Sequence, residues 1–308
     1  MHQLFKNIKR LFWGLLVVGM VSLIGGHQSH AQLDTSAKIK PNYRALRWIL
    51  ASEAALYTGS VYGLSKVWYK TKFTHFKVAD DYDEWKQVDK MGHFFSAYQI
   101  CRHTAALYQK TGVSRKQAAL YGAISGFLFL TPIEILDGFQ PDYGFSPSDM
   151  AANVLGPALY LGQYALWNEA RIQPKFSYYR TNLARVRPEL LGRNLSEEWL
   201  KDYNGQTYWL SVNVASFLRP SSSFPKWLNV SFGYGVQDMV GARVAKSLEL
   251  GYEPYRQFYL SLDVDLTRIK TRSKLLKTLF FMANTLKIPA PTLELNSKSG
   301  LRWHGLYF

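Results

Sequence analysis

Residues 118–130 read AALYGAISGFLFL, an uninterrupted run without a charged residue. Gly122 and Gly126 lie four residues apart in this run, a spacing that allows two helices to approach each other closely. Ser114 precedes it and is a typical N-cap residue. We therefore expect one strongly apolar helix that begins after Ser114 and ends near Asp137, and the flanking segments have to supply helices that cover it.

Three further segments show helical periodicity. Small and apolar residues recur at three- and four-residue steps from Arg44 to Lys66. A second helix is expected from Asp89 to about Tyr108, and another, with small residues at contact positions, from Asp149 to about Trp167. Together the four segments predict a four-helix bundle within residues 32–172, for which we favour association with a membrane; the core of a soluble bundle is the alternative.

The chain changes character after this region. Pro174, Pro188 and the polar run 187–201 predict a linker. Beyond it, alternating polar and apolar residues predict strands. These strands are expected at residues 208–214, 227–232, 258–266 and 292–295, with an aromatic segment at 303–308. Arg272 to Lys287 is a basic amphipathic helix.

The fold class that follows is α+β. The N-terminal four-helix bundle is followed by a β-rich extension, residues 173–308, with a small antiparallel sheet and the amphipathic helix. The aromatic C-terminal segment raises the alternative of an outer-membrane barrel. About five strands are fewer than the eight of the smallest closed membrane barrels, so a sheet packed beside the bundle is favoured.

The first 31 residues have the pattern of an export signal. Three cationic residues precede the apolar run 11–24, which is short for a membrane-spanning helix. Ser29 and Ala31 are small residues at the positions expected for signal cleavage. Residues 1–31 are therefore interpreted as a signal peptide that is removed on export. An uncleaved membrane anchor is the alternative.

Composition supports an envelope location. The 308-residue chain carries a formal net charge of +15. In an exported protein this excess favours membrane lipid or another envelope component as the partner, and no nucleic-acid-binding motif accompanies it. The single cysteine, Cys101, cannot form an intrachain disulfide. We expect an exported protein of the periplasm or outer membrane, associated with a membrane; no oligomeric state is predicted.

Three of the expected helices each carry a pair of polar residues. The pairs are Asp89 with His93, Glu134 with Asp137, and Asp149 with Asn153. A spacing of three or four residues places both members of a pair on one helix face. If the helices pack together, the pairs meet in a poorly solvated centre, where carboxylates need protons, cations or a metal. Lys90 and Arg102 are the nearest cationic candidates.

These residues have two functional interpretations and one structural one. In the first, His93, Glu134, Asp137 and Asp149 bind a divalent metal ion, which can activate water, with Lys90 and Asn153 in support. In the second, His93 is a general base oriented by Asp89 or Asp149. In the third, the residues form a buried hydrogen-bond network, with Asp89 and Asp149 as helix caps.

The order of these groups resembles a known family. DKMGHF at 89–94, EILDGF at 134–139 and SPSDMAANVLG at 146–156 resemble the YfiM-like family of predicted periplasmic lipoproteins, a domain of unknown function. The pattern is also distantly similar to the VanZ-like membrane family, whose members have a similar Asp-Lys-x-x-His start and Ser-x-x-Asp-x-x-x-Asn-x-x-Gly end. The resemblance covers residues 85–168 and implies an envelope location but no established reaction.

The sequence thus supports three hypotheses of function. The first is an exported, membrane-associated cell-envelope protein with a buried His/carboxylate cluster and no assigned reaction. The second is a metal-dependent hydrolase that acts on envelope lipid or cell-wall material. The third is a component of an outer-membrane barrel.

Overall fold

The computed structural model describes residues 41–68, 73–141 and 143–308. The predicted signal peptide, 1–31, lies outside these residues. The described part of the chain contains eight α-helices and one six-stranded antiparallel sheet, so the α+β prediction is confirmed.

The chain divides into two compact units. The helical unit comprises the described residues from 41 to 79 together with those from 97 to 168, and the sheet unit comprises 80–96 together with 169–308. Segment 80–96, which the sequence assigns to the bundle, is therefore grouped with the C-terminal strands.

Four long helices correspond to the four segments with helical periodicity. They are α1 (Tyr43–Trp68), α2 (Val88–Gln109), α3 (Arg115–Asp137) and α4 (Pro147–Trp167). Ser114 caps α3 as predicted, since its side chain accepts a hydrogen bond from Gln117 N and the Gln117 side chain accepts one from Ser114 N. This reciprocal pair is a capping box, which satisfies two of the otherwise unpaired donors at the helix start.

Helices α3 and α4 and the C-terminal half of α2 pack closely against one another, because small residues line the contacts between them. A Cβ added to Gly122 would lie 2.5 Å from the carbonyl oxygen of Cys101, and one added to Gly126 would lie 2.6 Å from that of Ala97. The structure does not confirm a four-helix bundle. Trp48 of α1 is 69% exposed, so this helix leaves much of its apolar surface uncovered.

Within the described residues, α3 is the helix whose length and composition would allow it to cross a membrane. Core helices of water-soluble proteins pass the same test.

The sheet consists of β1 (Ile172–Tyr178), β2 (Gln206–Asn213), β3 (Leu228–Gln237), β4 (Tyr255–Val264), β5 (Ala290–Asn296) and β6 (Gly300–Tyr307). Each strand pairs with the next along the chain, so the order is linear and β1 and β6 lie at its edges. Four shorter helices lie between strands: α5 (Pro188–Leu191), α6 (Leu195–Lys201), α7 (Val244–Glu249) and α8 (Lys274–Ala283).

Strand β1 corrects the sequence prediction. Pro174 and the residues around it were expected to form a linker, yet they pair with β2 in register. A proline has no backbone N–H to donate to a neighbouring strand, and an edge strand, which has a neighbour on one side only, can accommodate it. The amphipathic helix is also shorter than predicted, since α8 covers Lys274–Ala283 rather than residues 272–287.

The two faces of the sheet have opposite polarity, and β4 illustrates the arrangement. Its buried residues are Gln257, Tyr259, Ser261 and Asp263. Its exposed residues include Phe258, Leu260 and Leu262. We call the face with Ser261 and Asp263 the inner face and the face with Leu260 and Leu262 the outer face.

Polar groups on the inner face satisfy one another. The ammonium of Lys175 lies 2.7 Å from Oδ2 of Asp263, and both side chains are fully buried. Ser211 donates to the same carboxylate at 2.6 Å, and the backbone N–H of Ile288 donates to its other oxygen at 3.1 Å. This buried carboxylate is therefore neutralised and fully hydrogen-bonded, as buried charges require.

Candidate functional site

The chain enters α2 through a left-handed turn. Residues 85–87 all have positive φ, at 48°, 48° and 68°, a region that non-glycine residues rarely adopt. Contacts within the sheet unit hold this backbone, since Trp85 N donates to the carbonyl of Ala242 at 2.7 Å and the Tyr234 hydroxyl donates to that of Lys86. The turn fixes where α2 begins and thus where its first polar residues lie.

Lys90 neutralises two carboxylates at this point. Its side-chain nitrogen lies 2.6 Å from Oδ2 of Asp81 and 2.8 Å from Oδ2 of Asp89. Lys90 is only 8% exposed, so the ion pairs are shielded from water. Helix α2 already begins at Val88, so Asp89 lies within its first turn, where its carboxylate contacts the ammonium of Lys90. The prediction that Asp89 is the N-cap is therefore wrong.

Tyr208 of β2 packs against the start of α2. A Cβ added to Gly92 would lie 2.9 Å from its phenol oxygen, so a larger residue would collide with the ring. The phenol donates to the Gln206 side chain at 2.8 Å. Burial raises the pKa of Tyr208 well above its usual value, and the Asp89 carboxylate raises it further. The phenol therefore remains a neutral donor at the edge of the motif.

Two of the predicted ligands approach each other within the helical unit. Glu134 of α3 and Asp149 of α4 each offer one carboxylate oxygen, and these atoms lie within 4.8 Å of each other. Glu134 and Asp149 are buried, and His93 is half-buried. One imidazole nitrogen with carboxylate oxygens is a donor set that suits zinc, manganese or iron.

A second group of carboxylates lies within the sheet unit. Asp81 and Asp89 each offer one oxygen, and these atoms lie within 4.8 Å of each other. Since the ammonium of Lys90 contacts both carboxylates, a metal ion would have to compete with it there.

The remaining predicted residues take different positions. Asp137 belongs to neither group of potential ligands among the described residues, although it follows Glu134 by three residues. Asn153 is fully buried one turn after Asp149 on α4. Ser146 is the N-cap of α4 and accepts a hydrogen bond from the backbone N–H of Asp149 at 3.0 Å, so the prediction of Asp149 as a cap is also wrong.

Asp81 was missed by sequence reasoning. It precedes the helix in an irregular segment, at no spacing that would relate it to Lys90. His103 belongs to neither group of potential ligands among the described residues. Its Nδ1 donates to the carbonyl of Gln99 at 2.6 Å, and burial with the nearby Arg102 lowers its pKa to about 4, so the imidazole is neutral.

A model of a known protein family matches the segment that contains these candidate ligands. Residues 81–164 match a family model described as predicted periplasmic lipoprotein (DUF2279). The match includes every residue of both groups of potential ligands. The description fits an exported envelope protein of unknown function. No curated protein and no solved structure matches the chain, and similarity to the VanZ-like family is not shown.

Proposed function

We propose that this chain is an exported cell-envelope protein that binds a divalent metal ion, with His93, Glu134 and Asp149 as ligands. The observation that carries the proposal is the approach of two buried carboxylates, those of Glu134 and Asp149, to within 4.8 Å of each other in the helical unit. Two carboxylate oxygens at this separation can bind one divalent ion together, and an imidazole completes a donor set for zinc, manganese or iron.

Lys90 and Asn153 have supporting roles in this proposal. Lys90 holds Asp81 and Asp89, so these carboxylates do not draw the ion away from the histidine. Asn153 is a neutral, fully buried amide one turn from Asp149 that can orient a ligand or a bound water without adding charge. Three protein ligands leave room for a water molecule on the ion.

A metal-dependent hydrolase is the second candidate function. A bound zinc, manganese or iron ion lowers the pKa of a coordinated water and produces a nucleophile at neutral pH. His93 is half-buried, so its imidazole is partly accessible to solvent. Substrates of the envelope, lipid esters or cell-wall polymers, are the class to assay.

Metal analysis tests the proposal directly. The purified chain is stripped with a chelator and titrated with Zn²⁺ and Mn²⁺ by calorimetry, and elemental analysis gives the stoichiometry. We expect one ion per chain and a loss of affinity of more than about tenfold in His93→Ala and in Asp149→Asn. His75→Ala is the matched control, because His75 is exposed and lies outside the motif.

Two results separate the candidates. Unchanged metal stoichiometry in His93→Ala and Asp149→Asn, with both variants folded by circular dichroism, would contradict the metal site. A bound ion without hydrolysis of phospholipid or isolated cell wall would retain the binding function and remove the hydrolase.

We further propose that the protein associates with a membrane. Helix α3 supports this, because Leu120, Ile124 and Leu128 are exposed at four-residue intervals and form an apolar stripe along one side. Carbonate and urea washing of cell membranes tests the proposal. Complete extraction of the protein by both washes would contradict embedding in the bilayer.

A further inference from the structure

The outer face of the sheet is apolar across strands β3 to β6. Phe232, Leu260, Leu293 and Trp303 are direct neighbours in register on β3, β4, β5 and β6. A parallel row contains Tyr234, Phe258, Leu295 and Leu301. Phe232 is 56% exposed and Trp303 is 65% exposed. These rows thus present one broad apolar surface without an internal charge.

The inner face has the opposite character. The row that contains Ser211, Ser231, Ser261 and Thr292 is buried, and Asn213, Asn229 and Asp263 form the next row. An antiparallel sheet with one side in water buries its apolar residues and exposes its polar ones. This sheet does the reverse, which is the arrangement expected when the surroundings of the outer face are apolar.

One end of the sheet is strongly basic. Residues 214–227 and 266–289 contain no aspartate or glutamate. These segments meet at one end, where the backbone N–H of Asp265 donates to the carbonyl of Trp227 at 2.8 Å. Their exposed cations are Arg219, Lys226, Lys270, Arg272, Lys274 and Lys277. Since no acidic residue of these segments offsets them, this end attracts anions.

Helix α8 joins the basic end to the apolar surface. Leu275, Leu276 and Leu279 are exposed, and none of the residues of α8 is buried. Lys274 and Lys277 accompany them on the same short helix. Exposed leucines with lysines on one helix are typical of helices that lie in the headgroup region of a membrane. Trp227, also exposed at this end, is of the type that favours that region.

We infer that the outer face of the sheet and helix α8 lie against an anionic phospholipid bilayer. Acyl chains cover the rows with Phe232 and Trp303, and lipid phosphates contact the basic end. We choose lipid over a protein partner because of charge complementarity. An anionic leaflet has a hydrocarbon zone and a phosphate zone. The apolar rows match the first zone, and the exposed cations of the basic end match the second.

This inference rests on the proposed membrane association and assigns it to a different surface from the stripe on α3. It is tested by flotation of the full chain with vesicles of phosphatidylcholine, with and without anionic phosphatidylglycerol. We expect binding to the anionic vesicles. A triple variant of the outer face, Phe232→Ser with Leu260→Ser and Trp303→Ser, is expected to lose at least about tenfold in vesicle partitioning.

A charge variant tests the basic end. Substitution of Lys270, Arg272, Lys274 and Lys277 by glutamine is expected to remove the preference for anionic vesicles. Matched controls lie at the other end of the sheet and are equally exposed. They are Leu195→Ser with Leu248→Ser and Leu250→Ser for the apolar surface, and glutamine at Arg185, Arg193, Lys246 and Lys298 for the cations.

The outcomes discriminate between the surfaces. If the outer-face variant binds vesicles like the wild type while Leu120→Ser with Ile124→Ser and Leu128→Ser does not, the inference is overturned and membrane association through α3 stands. If the wild type does not bind vesicles, the inference is wrong. If light scattering then shows that the wild type is a dimer and the outer-face variant a monomer, a second copy of the chain covers this face. Circular dichroism confirms that each variant is folded.

Discussion

Lys90 forms two ion pairs in the segment that matches the family model. It is a nearly buried ammonium within 2.8 Å of two carboxylates, Asp81 and Asp89. Removal of one member of a buried ion pair leaves an uncompensated charge in a poor solvent, which costs more than the pair itself contributes. Here two carboxylates would lose their contact with the ammonium.

We therefore predict that Lys90→Met lowers the free energy of unfolding by about 3 kcal/mol, measured by urea denaturation. Lys246→Met is the matched control, because Lys246 forms an exposed pair with Glu249 and its loss should cost no more than about 0.5 kcal/mol. An equal effect of the two substitutions would show that burial of Lys90 contributes nothing.

Individual residues also mark the limit of sequence reasoning about the site. Spacings of three and four residues placed Asp89 with His93, Glu134 with Asp137, and Asp149 with Asn153 on single helix faces, and within the helical unit the carboxylates of Glu134 and Asp149 lie within 4.8 Å of each other. Helical spacing fixes only the direction of a side chain from its own axis. It could therefore neither exclude Asp137 nor find Asp81, which reaches Lys90 from an irregular segment.

At the scale of elements, the glycines of α3 determine how closely it approaches α2. The carbonyl oxygens of Cys101 and Ala97 occupy the positions that Cβ atoms on Gly122 and Gly126 would need. A backbone atom cannot move aside as the end of a flexible side chain can. The contact therefore depends on the absence of a side chain at both positions.

Gly122→Ala is predicted to destabilise the protein by about 1–3 kcal/mol, because the helices must separate to relieve the clash. Gly162→Ala on α4 is the matched substitution, since no atom lies within 4 Å of the position of its Cβ. There the change should stabilise the helix by about 0.5–1 kcal/mol, because alanine loses less backbone entropy than glycine on folding. Thermal and urea unfolding of the two variants should change in opposite directions.

The elements themselves were largely accessible from the sequence, for reasons that also explain the exceptions. Apolar periodicity and the capping residue Ser114 predicted α3 closely, and alternation predicted β2 to β6. Strand β1 was missed because Pro174 and Lys175 are atypical of strands, yet pairing with β2 outweighs their propensities. Alternation along β4 separates a polar from an apolar face, but it cannot indicate which of the two is buried.

At the scale of the whole molecule, the main physical feature of the sheet unit is that its polar face is buried and its apolar face is exposed. A sheet that buries serine, asparagine and aspartate and exposes leucine and phenylalanine loses favourable burial in water. An amphiphile that covers the outer face restores it, and any species that binds the folded state alone raises its stability.

We predict that micelles of a nonionic detergent raise the temperature of the unfolding transition, measured by circular dichroism, relative to detergent-free buffer. The triple variant Phe232→Ser with Leu260→Ser and Trp303→Ser should show a smaller rise, because less apolar surface is left to cover. The corresponding leucine variants at positions 195, 248 and 250 should behave like the wild type. A rise of the same size in both variants would argue against the outer face as the detergent-binding surface.

The linear strand order also has a consequence for how the sheet is assembled. Each strand can pair with the strand that precedes it along the chain, so most strand pairings join segments that are close in sequence. The exception is the return of Leu286 to Phe176, which bridges the first strand to the segment before β5. The entropic cost of closing a loop grows only logarithmically with loop length. The contact between Leu286 and Phe176 can therefore form after the strands have paired, and strand pairing does not depend on it.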